Sequence, residues 1–211
     1  MFIWIVNVEY IIFVPQRTNM EDNSTLAPID LYTEATPNPE TLKFVLNRML
    51  YASKSVDYPT LESANGSPLA MDLFGFPFVK GVFIMNNFVT ITKHPEIVWE
   101  DITPSLKAFI KKYVQDGRPI IIDAPERPIA TGDTNAIIEK IKEVLDNYVK
   151  PAVEMDGGAI AFKSYEEGVV SVLLQGSCSG CPSSTITLKS GIENLMKRMV
   201  PEVTSVVAEG M

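Results

Sequence analysis

The stretch 118–132, RPIIIDAPERPIATG, holds three prolines and shows no helical period. Proline lacks a backbone donor and fixes φ, and the residue before it is pushed out of the helical region. Such a run can neither propagate a helix nor fill a central strand, so it reads as a linker. It divides a chain of 211 residues into two units, each of which has to bury its own core. The expected division is an apolar-to-polar extension without fixed structure over 1–30, a first domain over 31–118, the linker over 119–132, and a second domain over 133–211.

Patterning within each unit mixes helical and strand periods. In the first, residues 31–35 read as a short strand ended by Thr36-Pro37-Asn38-Pro39. Asn38 suits a helix N-cap and Pro39 a first turn. Leu42, Val45, Leu46, Met49 and Leu50 then recur at helical spacing, which predicts a helix. Residues 65–78 read as loop with a short helix. The runs 79–85 and 88–92 flank Asn86-Asn87 and predict a hairpin. Trp99, Ile102, Leu106, Phe109, Ile110 and Tyr113 mark a helix over 99–116, with Pro104 in its first turns and Gly117 ending it. Phe74, Phe76, Phe78 and Phe83 read as core.

In the second unit, Asp133 or Thr134 caps a helix whose inward stripe is Ile137, Ile141, Val144, Leu145 and Tyr148, stopped by Pro151. Asp156-Gly157-Gly158 reads as a turn. A hairpin over 159–163 and 169–174 follows, turning at Glu166-Glu167-Gly168, with Val170, Val172 and Leu174 on one face. After the cysteine segment come a helix facing inward through Leu188, Ile192, Leu195 and Met199, and a last strand over 203–207. Met196 and Met199 are both expected as core fillers. The fold class is therefore α+β, two small α/β-layer domains joined by a proline-rich linker.

The two cysteines, Cys178 and Cys181, stand in Gly-Ser-Cys-Ser-Gly-Cys-Pro. Pro182 suits the first helical position, which sets Cys181 beside the N-cap and Cys178 in the loop before it. First-turn amides and the helix dipole favour thiolate and an anionic metal–sulfur centre. Four thiolates are the usual complement of an iron–sulfur cluster, and this chain supplies two. The single histidine, His94, falls in the other unit. Either an exogenous thiol completes the site, or a second copy does through a two-fold axis. A thiol–disulfide oxidoreductase is an alternative, although that pattern expects a preceding strand–helix–strand and usually a proline between the cysteines. A zinc site made by two chains is another. No Ser/His/Asp set or phosphate-binding loop is present.

The run GSCSGCPSSTITL over 176–188 resembles the signature of the NifU C-terminal domain of Nfu-type iron–sulfur proteins. Tyr148-Val149-Lys150-Pro151 and Met155-Asp156-Gly157-Gly158 extend that resemblance over about 133–208. TPNPETLKF, SPLA, LFGFPFVKGVF and ITK, within 31–118, resemble the N-terminal domain that accompanies it. The resemblance implies a non-enzymatic scaffold or carrier that binds a cluster, 4Fe–4S in preference to 2Fe–2S, with Cys178 and Cys181 as ligands. It further implies apo iron–sulfur proteins as clients and upstream donors as suppliers, while the count of two thiolates per chain points to a homodimer when loaded. The acidic residue that many members carry after the glycine pair is Ala159 here. The cysteine-bearing amino-terminal scaffold and ferredoxin-like domains of full-length NifU have no counterpart.

The formal charge of −8 is spread over both units. No basic face emerges for phosphates or anionic lipid, so neither nucleic acid nor membrane is an expected partner. Residues 1–14 are apolar but too short to span a bilayer, lack a basic start, and are poor in Arg and Ser. With the cysteines in a reducing setting, a cytoplasmic location is expected, with translation starting at Met20 and residues 1–19 dispensable.

Overall fold

A computed structural model describes residues 27–122, 136–179 and 182–210. The extension up to residue 26, most of the linker (123–132), the cap at Asp133 or Thr134, and Cys181 lie outside the described residues.

The first unit is a five-stranded antiparallel sheet in the order β1-β2-β5-β4-β3. Its strands are β1 (Leu31–Ala35), β2 (Thr41–Leu46), β3 (Tyr51–Tyr58), β4 (Val79–Asn86) and β5 (Phe88–Lys93). Helices α1 (Pro68–Phe74) and α2 (Trp99–Gln115) cover one face. Ser67 caps α1 by accepting from Ala70 N. Leu69, Leu73, Leu106 and Ile110 of the helices meet Phe44, Ile84, Val89 and Ile91 of the sheet in one buried core. Ile29, within the stretch expected as an extension, is packed in that core.

The predicted helix after Pro39 is instead strand β2. Its residues pair with β1 on one side (Phe44 opposite Thr33) and β5 on the other (Phe44 opposite Val89). A short, almost wholly apolar run matches both periods, so side-chain spacing alone misleads. Leu42, Phe44 and Leu46 face the helices, while Lys43 and Val45 take the opposite face. Asn38 is accordingly no helix cap: its Oδ1 accepts from Glu40 N, as in an Asx turn.

The second unit carries a three-stranded sheet ordered β6-β7-β8. β6 (Gly158–Glu166) and β7 (Val169–Gly176) form an antiparallel hairpin, turned by Glu167 at φ 48° and Gly168 at φ 84°. Helix α5 (Pro182–Met199) then crosses over to β8 (Ser205–Gly210), which lies parallel to β7. Val170, Val172 and Leu174 face Ile141, Leu145, Val153, Ile192 and Met196.

The helix predicted to stop at Pro151 runs on through it. α3 (Ala136–Val144) passes into a π-turn over Leu145–Val149, where Lys150 N–H bonds Leu145 O, and continues as α4 (Lys150–Met155). Pro151 then falls in the first turn of α4, where its missing donor is harmless. The wider turn accommodates one extra residue and shifts the inward stripe by about a third of a turn. Tyr148, expected inside, is therefore 57% exposed, and Val149 takes its place at 5%. On α5 the inward methionine is Met196, not Met199, which is 44% exposed. Among the described residues, no helix is long and apolar enough to cross a membrane.

Candidate metal centre

Strand β7 ends at Gly176, whose φ of +62° turns the chain out of the sheet. Ser179 N–H then bonds Gly176 O at 3.0 Å, closing a tight turn before α5 begins at Pro182. Cys178 sits in this turn, 7% exposed, as part of the second core. Ser177 Oγ donates to Asp156 O and lies 3.8 Å from Cys178 Sγ. Ser177 N–H reaches Gly157 O at 3.4 Å. The Asp156-Gly157-Gly158 turn is thus the floor of the cysteine loop. Gly158 approaches so closely that a Cβ there would lie 2.9 Å from Cys178 Sγ.

Of the two sequence-predicted ligands, Cys178 is placed and Cys181 lies outside the described residues. His94 follows β5 in the first unit, its N–H bonded to Phe78 O. Among the described residues, no three His, Cys, Asp or Glu side chains gather as a metal site. Beside Cys178 lies a cavity of about 230 Å³, lined by Pro37, Asp156, Ser177, Cys178, Thr187 and Leu188.

Pro37 belongs to the first unit, and it is not alone there. Asn38 Nδ2 donates to Ser177 O at 3.2 Å, and Gly176 N–H donates to Asp57 Oδ2 at 3.2 Å. Ser55 Oγ donates to Gln175 Oε1 at 3.3 Å. Thr90 Oγ1 donates to Gly157 O at 2.7 Å, and Lys43 Nζ to Glu154 O and Met155 O at 3.3 and 3.1 Å. Lys43 is held from behind by Glu34 at 3.0 Å and lies over the Phe88 ring. Between these bonds, Val45, Phe83, Met85 and Phe88 pack with Ala159 in a third buried cluster. Phe74, Phe76 and Phe78 do pack on the first core, but Phe83 belongs to this other face.

Sequence reasoning missed these first-unit residues because their spacing forms no ligand motif and their partners lie in the other unit. A signal was present: Val82–Met85 is apolar at every position. That pattern belongs to a strand covered on both faces.

Two protein-family patterns match the chain in the same order as its two units. The family described as "Scaffold protein Nfu/NifU N terminal" matches residues 31–117, and the "NifU-like domain" family matches 141–207. The human "NFU1 iron-sulfur cluster scaffold homolog, mitochondrial" is 38% identical over 178 residues, covering 83% of this chain and 70% of that protein. "NifU-like protein 4, mitochondrial" of Arabidopsis thaliana is 37% identical, covering 85% and 65% respectively. The chain thus spans a little under two thirds of the plant protein's length. A NifU-like protein of Saccharomyces cerevisiae, solved by NMR, is 30% identical with a TM-score of 0.42, over 46% of this chain and 87% of that one.

The mitochondrial names of these relatives overturn the expected cytoplasmic location. That expectation rested on the residue content of positions 1–14 and on the cysteines, and a reducing setting does not distinguish the two compartments. With both family patterns matched in order and 38% identity across most of its length, the chain belongs to the Nfu/NifU family of iron–sulfur cluster scaffold proteins.

Proposed function

We propose that this chain takes an iron–sulfur cluster as cargo between two copies of itself, through Cys178 and Cys181 of each, and hands it to apo-proteins. The observation that carries the reading is the position of the Cys-x-x-Cys. Cys178 lies in the turn after β7, and in the sequence Cys181 directly precedes Pro182, where α5 begins, so first-turn backbone amides and the helix dipole favour thiolate sulfur. Two thiolates per chain against four per cluster call for a second chain, and a two-fold axis at the loop supplies it. The cargo is 4Fe–4S in preference to 2Fe–2S. The cysteines are ligands and not catalysts, upstream donors load the site, and the working compartment is the mitochondrion. Residues 31–118 and 133–211 serve as the two domains, the second holding both ligands.

The thiol–disulfide alternative is disfavoured by what precedes the loop: a β6–β7 hairpin stands where that chemistry expects strand–helix–strand. The test is anaerobic reconstitution of the full chain beside Cys178→Ser and Cys181→Ser. The parent should bind iron and acid-labile sulfide in equal amounts, and each variant should lose both. Thermal unfolding is run alongside, because Cys178 is packed in the core and its replacement disturbs packing as well as ligation. Zinc without sulfide in the parent, or a variant that keeps its cluster, would contradict the proposal.

A further inference from the structure

We propose that the first domain is a reversible cover of the cysteine loop, and that the docked arrangement and the cluster-bridged pair of chains exclude one another. The inference rests on the reading of Cys178 as a ligand and concerns what controls access to it.

The cover is built from one face of one sheet. Alternate residues of β2, β4 and β5 point away from α1 and α2: Lys43 and Val45, Phe83 and Met85, Phe88 and Thr90. The apolar four are buried with Ala159 of β6. The polar bonds at the edges of this patch run to main-chain atoms of the cysteine loop and its floor: Asn38 to Ser177 O, Asp57 to Gly176 N–H, Thr90 to Gly157 O. The Phe83 ring is so near the loop that a Cβ on Gly176 would lie 2.9 Å from it. The first domain therefore grips the loop itself, at Gly176 and Ser177 just before Cys178.

The docked geometry conflicts with bridging. A sulfur that shares a cluster with a second chain has to stand at a surface that chain can reach. Here Cys178 packs among second-domain residues, and the cavity beside it has Pro37 of the first domain as one wall. Clearing that wall means releasing Asn38 from Ser177 and, with it, the patch. Contacts between domains of one chain resemble transient interfaces, so such release is ordinary. Tethering keeps the cover at high effective concentration and returns it when the loop is vacated. A cluster that binds only the open form shifts the population toward that form, and whatever weakens docking favours loading.

The experiment uses the full chain and two separate perturbations. Met85→Glu places a charge in the buried patch, and the pair Asn38→Ala with Asp57→Ala removes two bonds at its edge. Under reducing, metal-free conditions, the alkylation rate of Cys178, resolved by mass spectrometry, should rise severalfold in both. If Met85→Glu fails to fold by circular dichroism, the Asn38/Asp57 pair decides. In the parent, radical labelling of Met85 should increase when the chain is anaerobically loaded with iron and sulfide. Unchanged alkylation in the folded variants, or Met85 equally protected with and without cluster, would overturn the cover. A parent that takes up no iron and sulfide defeats the ligand reading instead, and the alkylation comparison still reports on docking.

Discussion

Gly158→Ala tests the packing that seats the cysteine loop. An added methyl would lie 2.6 Å from Gln175 O, 2.9 Å from Cys178 Sγ and 3.2 Å from Cys178 N. Two of these are main-chain atoms, one in the strand paired with β6 and one in the loop, so no rotamer change relieves the overlap. Gly158 pairs with Gly176, and relief requires β6 and β7 to part at that end. Overpacking of this kind costs about 1–3 kcal/mol. The stiffer unfolded chain offsets about 0.4–1 kcal/mol of it. The net expectation is a loss of about 1–2 kcal/mol, roughly a 5- to 30-fold fall in the folded-to-unfolded ratio. Gly191→Ala is the opposite control: it lies in α5 with nothing within 4 Å of the new methyl. Helix propensity there should add about 0.5–1 kcal/mol. Amide hydrogen exchange at Val172 and Leu174 of β7 reads the opening free energy of this domain apart from the other. Gly158→Ala as stable as the parent, or Gly191→Ala less stable, would refute the reasoning.

Met196→Ala removes a fully buried side chain and should lower second-domain stability by about 2–5 kcal/mol. Met199→Ala, on the exposed side of α5, should stay within about 0.5 kcal/mol, so equal losses in the two would contradict the described helix face. Glu193 accepts from Lys197 Nζ at 2.6 Å and from Val206 N–H at 3.1 Å. The Lys197 hydrogen bond first, and then the Val206 amide, hold its carboxyl below the ordinary 4.5. Since the folded-state value is depressed, its tie from α5 to β8 is fully present above 4.5 and lost as pH falls below it. The Val206 amide proton shift, followed by NMR, should titrate with a midpoint under 4.5 and go flat in Glu193→Gln. A midpoint above 4.5 would contradict the assignment.

Much of this architecture was legible from residue order, and the failures have definite causes. The β4–β5 and β6–β7 hairpins are legible as apolar runs on either side of turn residues, Asn86 at φ 46° among them, and α2 as an apolar stripe at helical spacing. The segment after Pro39 carries both periods, and only its two hydrogen-bonded neighbours, β1 and β5, make it a strand. The π-turn at Leu145–Val149 has no propensity signature: it accommodates Pro151 without ending the helix, and its effect is visible only as the swap of Tyr148 for Val149. For the site, Cys178 and Cys181 stood out because thiolates three residues apart have few uses. Asn38, Asp57 and Thr90 did not, because their role is to bond main-chain atoms more than sixty residues away. Such partners follow from tertiary contact alone.

The central claim, that one cluster is held between two copies, is tested most directly by sedimentation of the anaerobically loaded full chain with iron and sulfide measured on the same sample. The account predicts a dimer carrying one four-iron, four-sulfide cluster per two chains, returning to monomer as the cluster is removed. A monomer that keeps a full cluster would contradict it and assign the missing ligands to a small-molecule thiol.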